Sequence, residues 1–283
     1  MIFFKSSLII VFFCLVSCSK DPSVFKLTNL NDDEIGCFGH AGMGSNSIYP
    51  ANTLKSLKLS LERGADGTEM DIQVTKDSVL VISHNEQLAD KTSCSGNIKD
   101  LNWNDISDCK VNSILLQTFN LITFDDFIQN ISVPTNYTFT LDCKSDIDDV
   151  DKESYYRLFT RTLIKTIVTY NLQQNIFIEN HDPVFLNMIK EISTEVKLFL
   201  VGDSFESNYE IASSSSYYGL SIDNTLITKE QVDLAHKANL RITVYGVLSE
   251  KENYSAVEKS PDFIQTDNLE YLLKIFGKYN RIK

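Results

Sequence analysis

The stretch Gly67-Thr68-Glu69-Met70-Asp71-Ile72-Gln73-Val74 sets two carboxylates two residues apart within a β-rich run. Successive side chains of a strand point to opposite faces, so Glu69 and Asp71 leave the same face. Asp142 and Lys144 are likewise two apart at the end of another β-rich run, residues 138–144. These runs predict neighbouring strands that carry charged side chains at one end.

Runs of this kind recur along the chain and alternate with helical patterns. Apolar spacing predicts helices at 53–63, 153–170, 184–192 and 228–238, and Thr228 and Gln231 form a capping box at the start of the last. The eight β runs cover residues 35–40, 68–74, 138–144, 175–180, 197–201, 219–223, 240–246 and 262–266. Eight strands alternating with helices predict a (β/α)₈ TIM barrel, a fold of about 250 residues. An open doubly wound sheet is less favoured, because no Gly-rich phosphate loop follows the first strand.

One short apolar run, residues 79–83, breaks this alternation. It begins only a few residues after Val74, a gap too short for the crossover that a parallel strand requires. We therefore predict a β-hairpin above the C-terminal rim of the barrel, with Lys76-Asp77-Ser78 at its turn. If the hairpin is centred between Asp77 and Ser78, His84 returns to a position opposite Asp71.

Composition narrows the classes of function. The chain has 283 residues, 43% of them hydrophobic, and a formal net charge of −12 with a pI near 4.8. This length fits one large domain or two small ones. The acidic balance argues against a nucleic-acid-binding surface, which needs clustered lysine and arginine. An anionic substrate therefore requires local positive charge, from a metal ion or from a few placed lysines.

The N-terminus predicts export. Residues 1–17 have a basic residue, Lys5, followed by an apolar segment too short to span a bilayer, and are predicted to be a signal peptide. The stretch Leu15-Val16-Ser17-Cys18 resembles the lipobox of bacterial lipoproteins, in which the cysteine is lipidated. The alternative is an ordinary secretory signal. The lipobox predicts an exported lipoprotein of the outer membrane, facing the periplasm or the cell surface, with residues 18–32 as a tether and 33–283 as the barrel domain.

Two cysteines bracket a short polar segment. Cys94 and Cys109 pair in an oxidising compartment or remain as two thiols, and the sequence leaves both open. Cys37 and Cys143 lie within β runs and are predicted to be small buried side chains. His236, in the middle of the last helical pattern, is predicted on an exposed face.

The carboxylates predict a metal site. Glu69, Asp71 and Asp142 form an oxygen-rich set with no nearby thiol, which favours Mg²⁺ or Ca²⁺, with Mn²⁺ also possible, over Zn²⁺. The alternative is that these acids pair with lysines at a solvated edge of the sheet. That arrangement suits one such residue better than three that converge.

Two of the chain's four histidines, His40 and His84, follow strand ends near these carboxylates. Imidazole titrates in the range needed both to deprotonate an attacking oxygen and to protonate a leaving alkoxide at a phosphodiester. Lys144 can add a positive contact to the phosphate. His181, after a strand end, and Tyr245, in the seventh β run, are further candidates for binding the substrate.

These residues, in this order, resemble the glycerophosphodiester phosphodiesterase family, a set of metal-dependent (β/α)₈-barrel hydrolases. The family typically reads His-Arg-Gly, Pro-Glu-Asn-Thr, Glu-x-Asp, Thr-Lys-Asp-Gly, His-Asp, Glu-x-Lys and Thr-Asp-x-Pro. This chain reads His40-Ala41-Gly42, Pro50-Ala51-Asn52-Thr53, Glu69-Met70-Asp71, Thr75-Lys76-Asp77-Ser78, His84-Asn85, Asp142-Cys143-Lys144 and Thr266-Asp267. The resemblance extends from His40 to the C-terminus.

The resemblance implies a metal-dependent phosphodiesterase that hydrolyses glycerophosphodiesters or related phospholipid headgroup diesters, with a small phosphodiester or a lysophospholipid as substrate. It implies that His40 and His84 are the acid and base. Glu69, Asp71 and Asp142 would bind the metal, and Lys144 would contact the phosphate.

Four of the departures from the family pattern bear on the site. Ala41 stands in place of the arginine, Ala51 in place of a glutamate and Asn85 in place of the aspartate. Asp142 is one methylene shorter than the usual glutamate, so this third ligand must sit closer to the metal or act through water. The alternative function is a non-catalytic barrel that binds a phosphorylated headgroup or a glycan. Retention of both histidines favours the enzyme.

Overall fold

The computed structural model describes residues 26–114, 116–146 and 151–280. The predicted signal peptide and the first part of the predicted tether, including Cys18, lie outside these residues. The strands within them are β1 (Gly36–Gly39), β2 (Gly67–Val74), β3 (Leu80–Ile82), β4 (Lys110–Val111), β5 (Phe119–Asn120), β6 (Ile122–Thr123), β7 (Thr138–Cys143), β8 (Ile176–Asn180), β9 (Lys197–Val201), β10 (Gly219–Asp223), β11 (Arg241–Val247) and β12 (Phe263–Thr266).

Eight of these strands close into a parallel barrel in the order β1-β2-β7-β8-β9-β10-β11-β12. Closure is direct, because β1 pairs in parallel with both β2 and β12. The eight predicted β runs are the eight barrel strands, so the predicted (β/α)₈ barrel is confirmed. The open-sheet alternative is wrong.

Helices cover the outside of the barrel. They are α1 (Leu54–Glu62), α2 (Trp103–Ile106), α3 (Phe124–Gln129), α4 (Lys152–Thr169), α5 (Pro183–Ile192), α6 (Phe205–Ser214), α7 (Lys229–Lys237), α8 (Glu250–Glu258) and α9 (Leu269–Ile275). The predicted capping box is present at α7, where Thr228 accepts from the Gln231 amide and Gln231 reaches back to Thr228. The outward face of β2 packs Met70, Ile72 and Val74 into the core beneath these helices.

The barrel interior has an apolar lower layer and a polar upper layer. Phe38, Phe177, Phe199 and Phe263 fill the lower layer, and the ring centroids of Phe177 and Phe263 are 4.9 Å apart. Above them, nearer the C-terminal ends of the strands, the inward faces carry charged and amide side chains. The aromatic layer gives the polar layer a rigid base.

The predicted hairpin is present as β2 and β3, although its register differs from the prediction by one residue. Ile72 pairs with Ile82 and Gln73 with Val81, so the hairpin is centred on Asp77 rather than between Asp77 and Ser78. The turn itself is the predicted Lys76-Asp77-Ser78, and a turn of these three residues is centred on Asp77. The Thr75 N–H donates to the Val79 carbonyl at 3.0 Å, and Ser78 adopts φ of 66°.

As a result, Ser83 lies opposite Asp71, with its N–H donating to the Asp71 carbonyl at 3.0 Å. His84 is the next residue beyond this pair, not opposite Asp71 as predicted.

An insertion, residues 83–121, follows this hairpin and lies beside the rim. It contains α2 and the hairpin β4–β5, and it has a small core of its own made of Leu88, Ile98, Ile106 and Leu121 with Val81 of β3. Cys94 and Cys109 form a disulfide with their Cα atoms 5.6 Å apart. Cys37 and Cys143 are free and buried, as predicted.

At the opposite, N-terminal end of the barrel, Asp262 is the centre of a group of hydrogen bonds that includes His236. Asp262 is buried at the start of β12 and accepts from the Leu30 and Ile242 N–H groups, each at 2.8 Å. His236 Nε2 lies 2.8 Å from the same carboxylate, and its side chain is only 10% exposed, so the prediction of an exposed His236 is wrong. Helix α7 packs this side chain against the strand next to it, a contact that helical spacing does not reveal.

The segment just before β1 is attached to this end of the barrel. The Asn29 side chain donates to the Pro261 carbonyl at 3.0 Å, and Arg241 donates to the Leu30 carbonyl at 3.0 Å. Residues 29–31, within the predicted tether, therefore contact the N-terminal end of the barrel. Among the described residues, no helix is long and apolar enough to cross a membrane.

We expect loss of the Cys94–Cys109 disulfide to destabilise the insertion before the barrel. The bond joins residues 15 apart, and closing a loop of that size contributes about 3 kcal/mol to the free energy of unfolding. Limited proteolysis of Cys94→Ser/Cys109→Ser should therefore cleave first within residues 83–121. Cys143→Ala, at a free buried cysteine, should leave the insertion protected. Equal protease resistance of the insertion in the wild type and the double variant would contradict this prediction.

Candidate active site

The three predicted metal ligands converge at the C-terminal end of the barrel. Asp71 of β2 lies in register with Asp142 of β7, and Glu69 lies two residues earlier on the same face of β2. One carboxylate oxygen from each of the three lies within 4.8 Å of the others. The shorter side chain of Asp142 therefore still reaches the cluster. Strand register alone brings these groups together across a long gap in the chain.

Hydrogen bonds from the loop after β1 hold two of the carboxylates. Asn52 makes two hydrogen bonds with Asp71. Its Nδ2 donates to Asp71 Oδ2 at 2.6 Å, and its Oδ1 accepts from the Asp71 N–H at 3.1 Å. The Ala41 N–H donates to Glu69 Oε2 at 2.6 Å. Both loop residues have a positive φ, 48° at Ala41 and 60° at Asn52, which turns these groups toward β2.

Lys144 supplies the positive charge nearest to the cluster. Its Nζ lies 2.9 Å from Asp71 Oδ1 and is also in direct contact with Asp142. Burial would lower the pKa of Lys144, but the charges and hydrogen bonds of these two acids outweigh it and raise the pKa. The lysine is therefore a permanent cation.

The carboxylates are crowded beyond what one lysine can neutralise. Burial and the charge of Asp71 raise the pKa of Glu69 well above its usual range. Desolvation likewise raises the pKa of Asp142, in spite of Lys144. Raised pKa values of this kind mean that the charged forms lack sufficient compensation, which a divalent cation would provide.

The donor set fits a hard divalent cation. All three groups are carboxylates, held close enough to share one ion, and among the described residues no thiol or histidine belongs to this group of ligands. Oxygen-only sites of this type suit Mg²⁺, Ca²⁺ or Mn²⁺. The identity of the metal does not follow from this set.

His40 stands beside the cluster and is oriented by a carboxylate from the last barrel strand. Its Nδ1 lies 3.0 Å from Asp267 Oδ2, and its Nε2 lies 3.9 Å from Glu69 Oε2. Burial would lower the pKa of His40, but the hydrogen bond to Asp267 and the charges of Glu69 and Asp71 raise it to about 10. With Nδ1 occupied, Nε2 is the ring nitrogen directed at the cluster.

His84 lies on the lip of the same cavity. The cavity has a volume of about 470 Å³, and its lining includes His40, Asp71, His84 and Asp267 together with residues of the insertion. The His84 side chain is exposed, and its Nδ1 lies 3.2 Å from the amide oxygen of Asn85. The Asn85 amide in turn donates to Asp90 at 3.1 Å.

The two other predicted substrate-binding residues, His181 and Tyr245, both lie near carboxylates. His181 is half exposed and its Nε2 lies 2.8 Å from Asp146. Tyr245 is partly buried on β11, where burial and the nearby carboxylates Asp203 and Asp223 raise its pKa to about 12. Neither is among the described residues that line the cavity of His40 and His84.

Sequence reasoning missed three polar residues of this site. Asn52 and Asp267 were noted only as parts of matching motifs, yet they hold Asp71 and His40. Glu179 of β8 lies in register with Asp142, accepts from Gln265 at 2.9 Å, and has its pKa raised to about 8 by burial and then by the charge of Asp142. An acid within the apolar run 176–180 was the available signal for Glu179.

Comparisons with known proteins agree with this geometry. The model of the glycerophosphoryl diester phosphodiesterase family matches residues 40–271. A glycerophosphodiester phosphodiesterase of Caldanaerobacter subterraneus subsp. tengcongensis is 24% identical over 251 residues, which are 84% of this chain and 97% of that relative.

Solved structures show the same fold. A glycerophosphodiester phosphodiesterase of Agrobacterium tumefaciens has a TM-score of 0.70 at 16% identity and covers 84% of this chain and 99% of its own. A phosphodiesterase of Oleispira antarctica, solved in complex with the product sn-glycerol-3-phosphate, has a TM-score of 0.71 at 16% identity and covers 85% of this chain and 96% of its own. Because the family model spans nearly the whole barrel, the chain belongs to the glycerophosphoryl diester phosphodiesterase family of phosphoric diester hydrolases.

Proposed function

We propose that this chain is an exported, metal-dependent phosphodiesterase that hydrolyses glycerophosphodiesters or related phospholipid headgroup diesters. The observation that carries the proposal is the cluster of Glu69, Asp71 and Asp142 beside a cavity onto which both His40 and His84 open. Charge stabilisation and proton transfer, the two needs of phosphodiester hydrolysis, are thereby met at one place.

The carboxylates would hold the cation, which supplies charge neutralisation at the non-bridging oxygens of the phosphate. Lys144 contributes a second positive charge at that position, since its ammonium group already lies among the carboxylates. Asn52 keeps Asp71 in a fixed orientation through its two hydrogen bonds. Outer residues of this kind usually affect metal affinity by about 10–100-fold.

The histidines differ in their partners, which suits them to different roles. The Asp267 carboxylate favours the charged form of His40, which then donates a proton to the leaving alkoxide. The neighbour of His84 is the neutral Asn85 amide, and we assign to His84 the role of accepting a proton from the attacking oxygen. Such positioned groups each contribute about 10²–10⁴-fold to rate.

A second candidate function is a non-catalytic barrel that binds a phosphorylated headgroup or a glycan. The observation in its favour is that Ala41 and Ala51, which stand where the family has charged residues, both line the cavity. An arginine at position 41 could hold a phosphate bidentately, which lysine cannot fully replace. Release of alcohol from glycerophosphodiesters, measured with and without added divalent metal, separates the two functions.

We further propose that Cys18 carries the lipid of an exported lipoprotein, which holds the enzyme at the outer membrane facing the periplasm or the cell surface. The lipobox-like stretch Leu15-Val16-Ser17-Cys18 supports this. The disulfide between Cys94 and Cys109 fits an oxidising compartment.

The first prediction from the proposed function tests the metal site with substitutions that remove a negative charge and keep the shape of the side chain. Glu69→Gln and Asp71→Asn should each weaken binding of Mg²⁺ or Ca²⁺ by about 100-fold and lower activity in parallel, because each replaces a charged ligand oxygen by a neutral amide. Calorimetric titration and initial rates at graded metal concentrations measure both effects. Excess metal should partly restore Asp71→Asn. Glu62→Gln, at an exposed residue of α1, is the control. A wild-type rate that survives chelation would rule out the metal-assisted mechanism.

The histidine prediction separates catalysis from folding. His84→Ala should lower kcat by about 10²–10⁴-fold without changing the melting temperature, since the side chain is exposed. His40→Ala should lose as much activity and also some stability, because it leaves buried Asp267 without its partner. The double variant should cost much less than the product of the two.

His236→Ala is a control with the opposite expected result. It should lower the melting temperature and leave kcat unchanged, because this residue pairs with Asp262 at the far end of the barrel. Wild-type turnover by both His40→Ala and His84→Ala would exclude their proposed roles and favour the binding function.

The anchor prediction rests on Cys18. Cys18→Ala should shift the protein from the membrane to the soluble fraction or leave it unprocessed, whereas Cys14→Ala, within the predicted signal peptide, should not. Mass spectrometry of the mature N-terminus should find two or more acyl chains, because a single chain binds membranes only marginally. An unmodified N-terminus in wholly soluble wild-type protein would contradict the prediction.

A further inference from the structure

The tip of the β4–β5 hairpin exposes two large apolar side chains. Ile114 is 91% exposed and Leu116 is fully exposed, more than any other large hydrophobic residue in the described part of the chain. Single exposed apolar residues are ordinary on protein surfaces, but near-complete exposure of two on one protruding tip is not. We therefore asked what could cover this tip.

The base of the hairpin is held firmly. Just below the tip, the Asn112 N–H donates to the Lys91 carbonyl and the Ser93 N–H donates to the Lys110 carbonyl, each at 2.8 Å. The Cys94–Cys109 disulfide closes the same ladder. The exposed tip is therefore presented by a braced hairpin.

The same hairpin forms one wall of the active-site cavity. Val111 and Asn112, a few residues before the tip, line that cavity together with Lys91 and Thr92. The tip therefore lies a few residues from the cavity wall. A surface that covers the tip also lies near the opening of the cavity.

Apolar exposure continues onto two neighbouring loops of the rim. The ring of Phe119, on β5, packs edge-on against Tyr49 at 6.4 Å between centroids, and Ile48 beside it is 58% exposed. The same loop contacts the next one, because Asn46 Nδ2 donates to the Leu248 carbonyl at 2.6 Å and the Leu248 side chain is 52% exposed. These three loops, with Ile48, Ile114, Leu116 and Leu248, are called the apolar rim below.

Charge is nearly absent from two of these loops. Residues 41–54 contain no charged side chain, and residues 110–124 contain only Lys110, although the whole chain carries a net charge of −12. Lys110 lies on the hairpin itself, and Lys91 lines the cavity. In these two loops the absence of acidic residues, with lysines beside them, suits contact with an anionic and apolar lipid surface, whereas the Leu248 loop is followed by Glu250 and Glu252.

We propose that the apolar rim inserts into a lipid surface, so that the cavity mouth opens onto it and the enzyme takes its phosphodiester from a lipid. This inference rests on the proposed phosphodiesterase function and names its substrate class, an acyl-bearing phosphodiester such as a lysophospholipid. A lipid layer is favoured over a protein partner because it covers a protruding tip without a complementary surface of about 800 Å² on each side.

The first experiment compares one headgroup in two forms. Rates are measured for the full chain on glycerophosphocholine in solution and on lysophosphatidylcholine in phosphatidylcholine–phosphatidylglycerol vesicles. Ile114→Ser/Leu116→Ser should lower the vesicle rate by about tenfold or more and leave the rate on glycerophosphocholine unchanged. The matched control Val133→Ser/Val168→Ser alters two residues exposed at the other end of the barrel and should change neither rate.

A vesicle rate that Ile114→Ser/Leu116→Ser leaves intact overturns the inference, as does an equal loss on both substrates. If the wild type hydrolyses neither substrate, the proposed function fails, and the lipid contact is then decided by a second measurement. Leu116→Trp should shift its fluorescence to shorter wavelength and be quenched by brominated lipid when vesicles are added. Val133→Trp, measured against the same natural Trp103 background, should not. Equal responses of the two variants would exclude insertion by the rim.

Discussion

Repulsion among Glu69, Asp71 and Asp142 is the constraint on which the upper half of the barrel depends. Two buried carboxylates and a partly exposed third, within 4.8 Å of one another, are costly unless positive charge and hydrogen bonds compensate them. The compensation comes from Lys144 on the adjacent strand, from the Asn52 amide and from the Ala41 N–H. Ala41 and Asn52, both with positive φ, bring these donors of the loop after β1 to the carboxylates. His40 lies at the start of the same loop. A divalent cation would complete the charge balance of this cluster.

The departures from the family pattern leave the hydrogen bonds of the carboxylate cluster in place. The Ala41 contact with Glu69 is made by the backbone N–H, so it survives the absence of an arginine side chain. What is absent is charge at the cavity mouth, because the family pattern has an arginine at position 41 and a glutamate at position 51. Both changes fall in residues 41–54, the stretch without any charged side chain. The inner framework is thus retained, while the outer loop is suited to an apolar layer.

Features that depend on residues close together in the sequence could be predicted from the sequence. The eight strands follow from β-rich runs, and the shared face of Glu69 and Asp71 follows from alternation along one strand. Contacts made only on barrel closure were not predictable in this way. Asp267 lies 227 residues after His40, and its partnership exists because β12 pairs with β1. His236 was misplaced for a similar reason, since it lies on α7 and its partner Asp262 immediately precedes β12. The hairpin register differs from the prediction by one residue, because the predicted turn Lys76-Asp77-Ser78 is centred on Asp77.

The proposed lipid anchor at Cys18 and the proposed insertion of the apolar rim together restrict how the barrel can lie against a membrane. Residues 29–31 are bound at the N-terminal end of the barrel, opposite the rim. Cys18 precedes Lys26 by eight residues, which reach at most about 29 Å even when fully extended. Helix α4, with 18 residues, is about 27 Å long. An anchor in the same flat bilayer as the rim therefore requires either a nearly fully extended tether or a barrel that lies on its side. An upright anchored barrel would instead present its apolar rim to a second lipid surface or to lipid released from one.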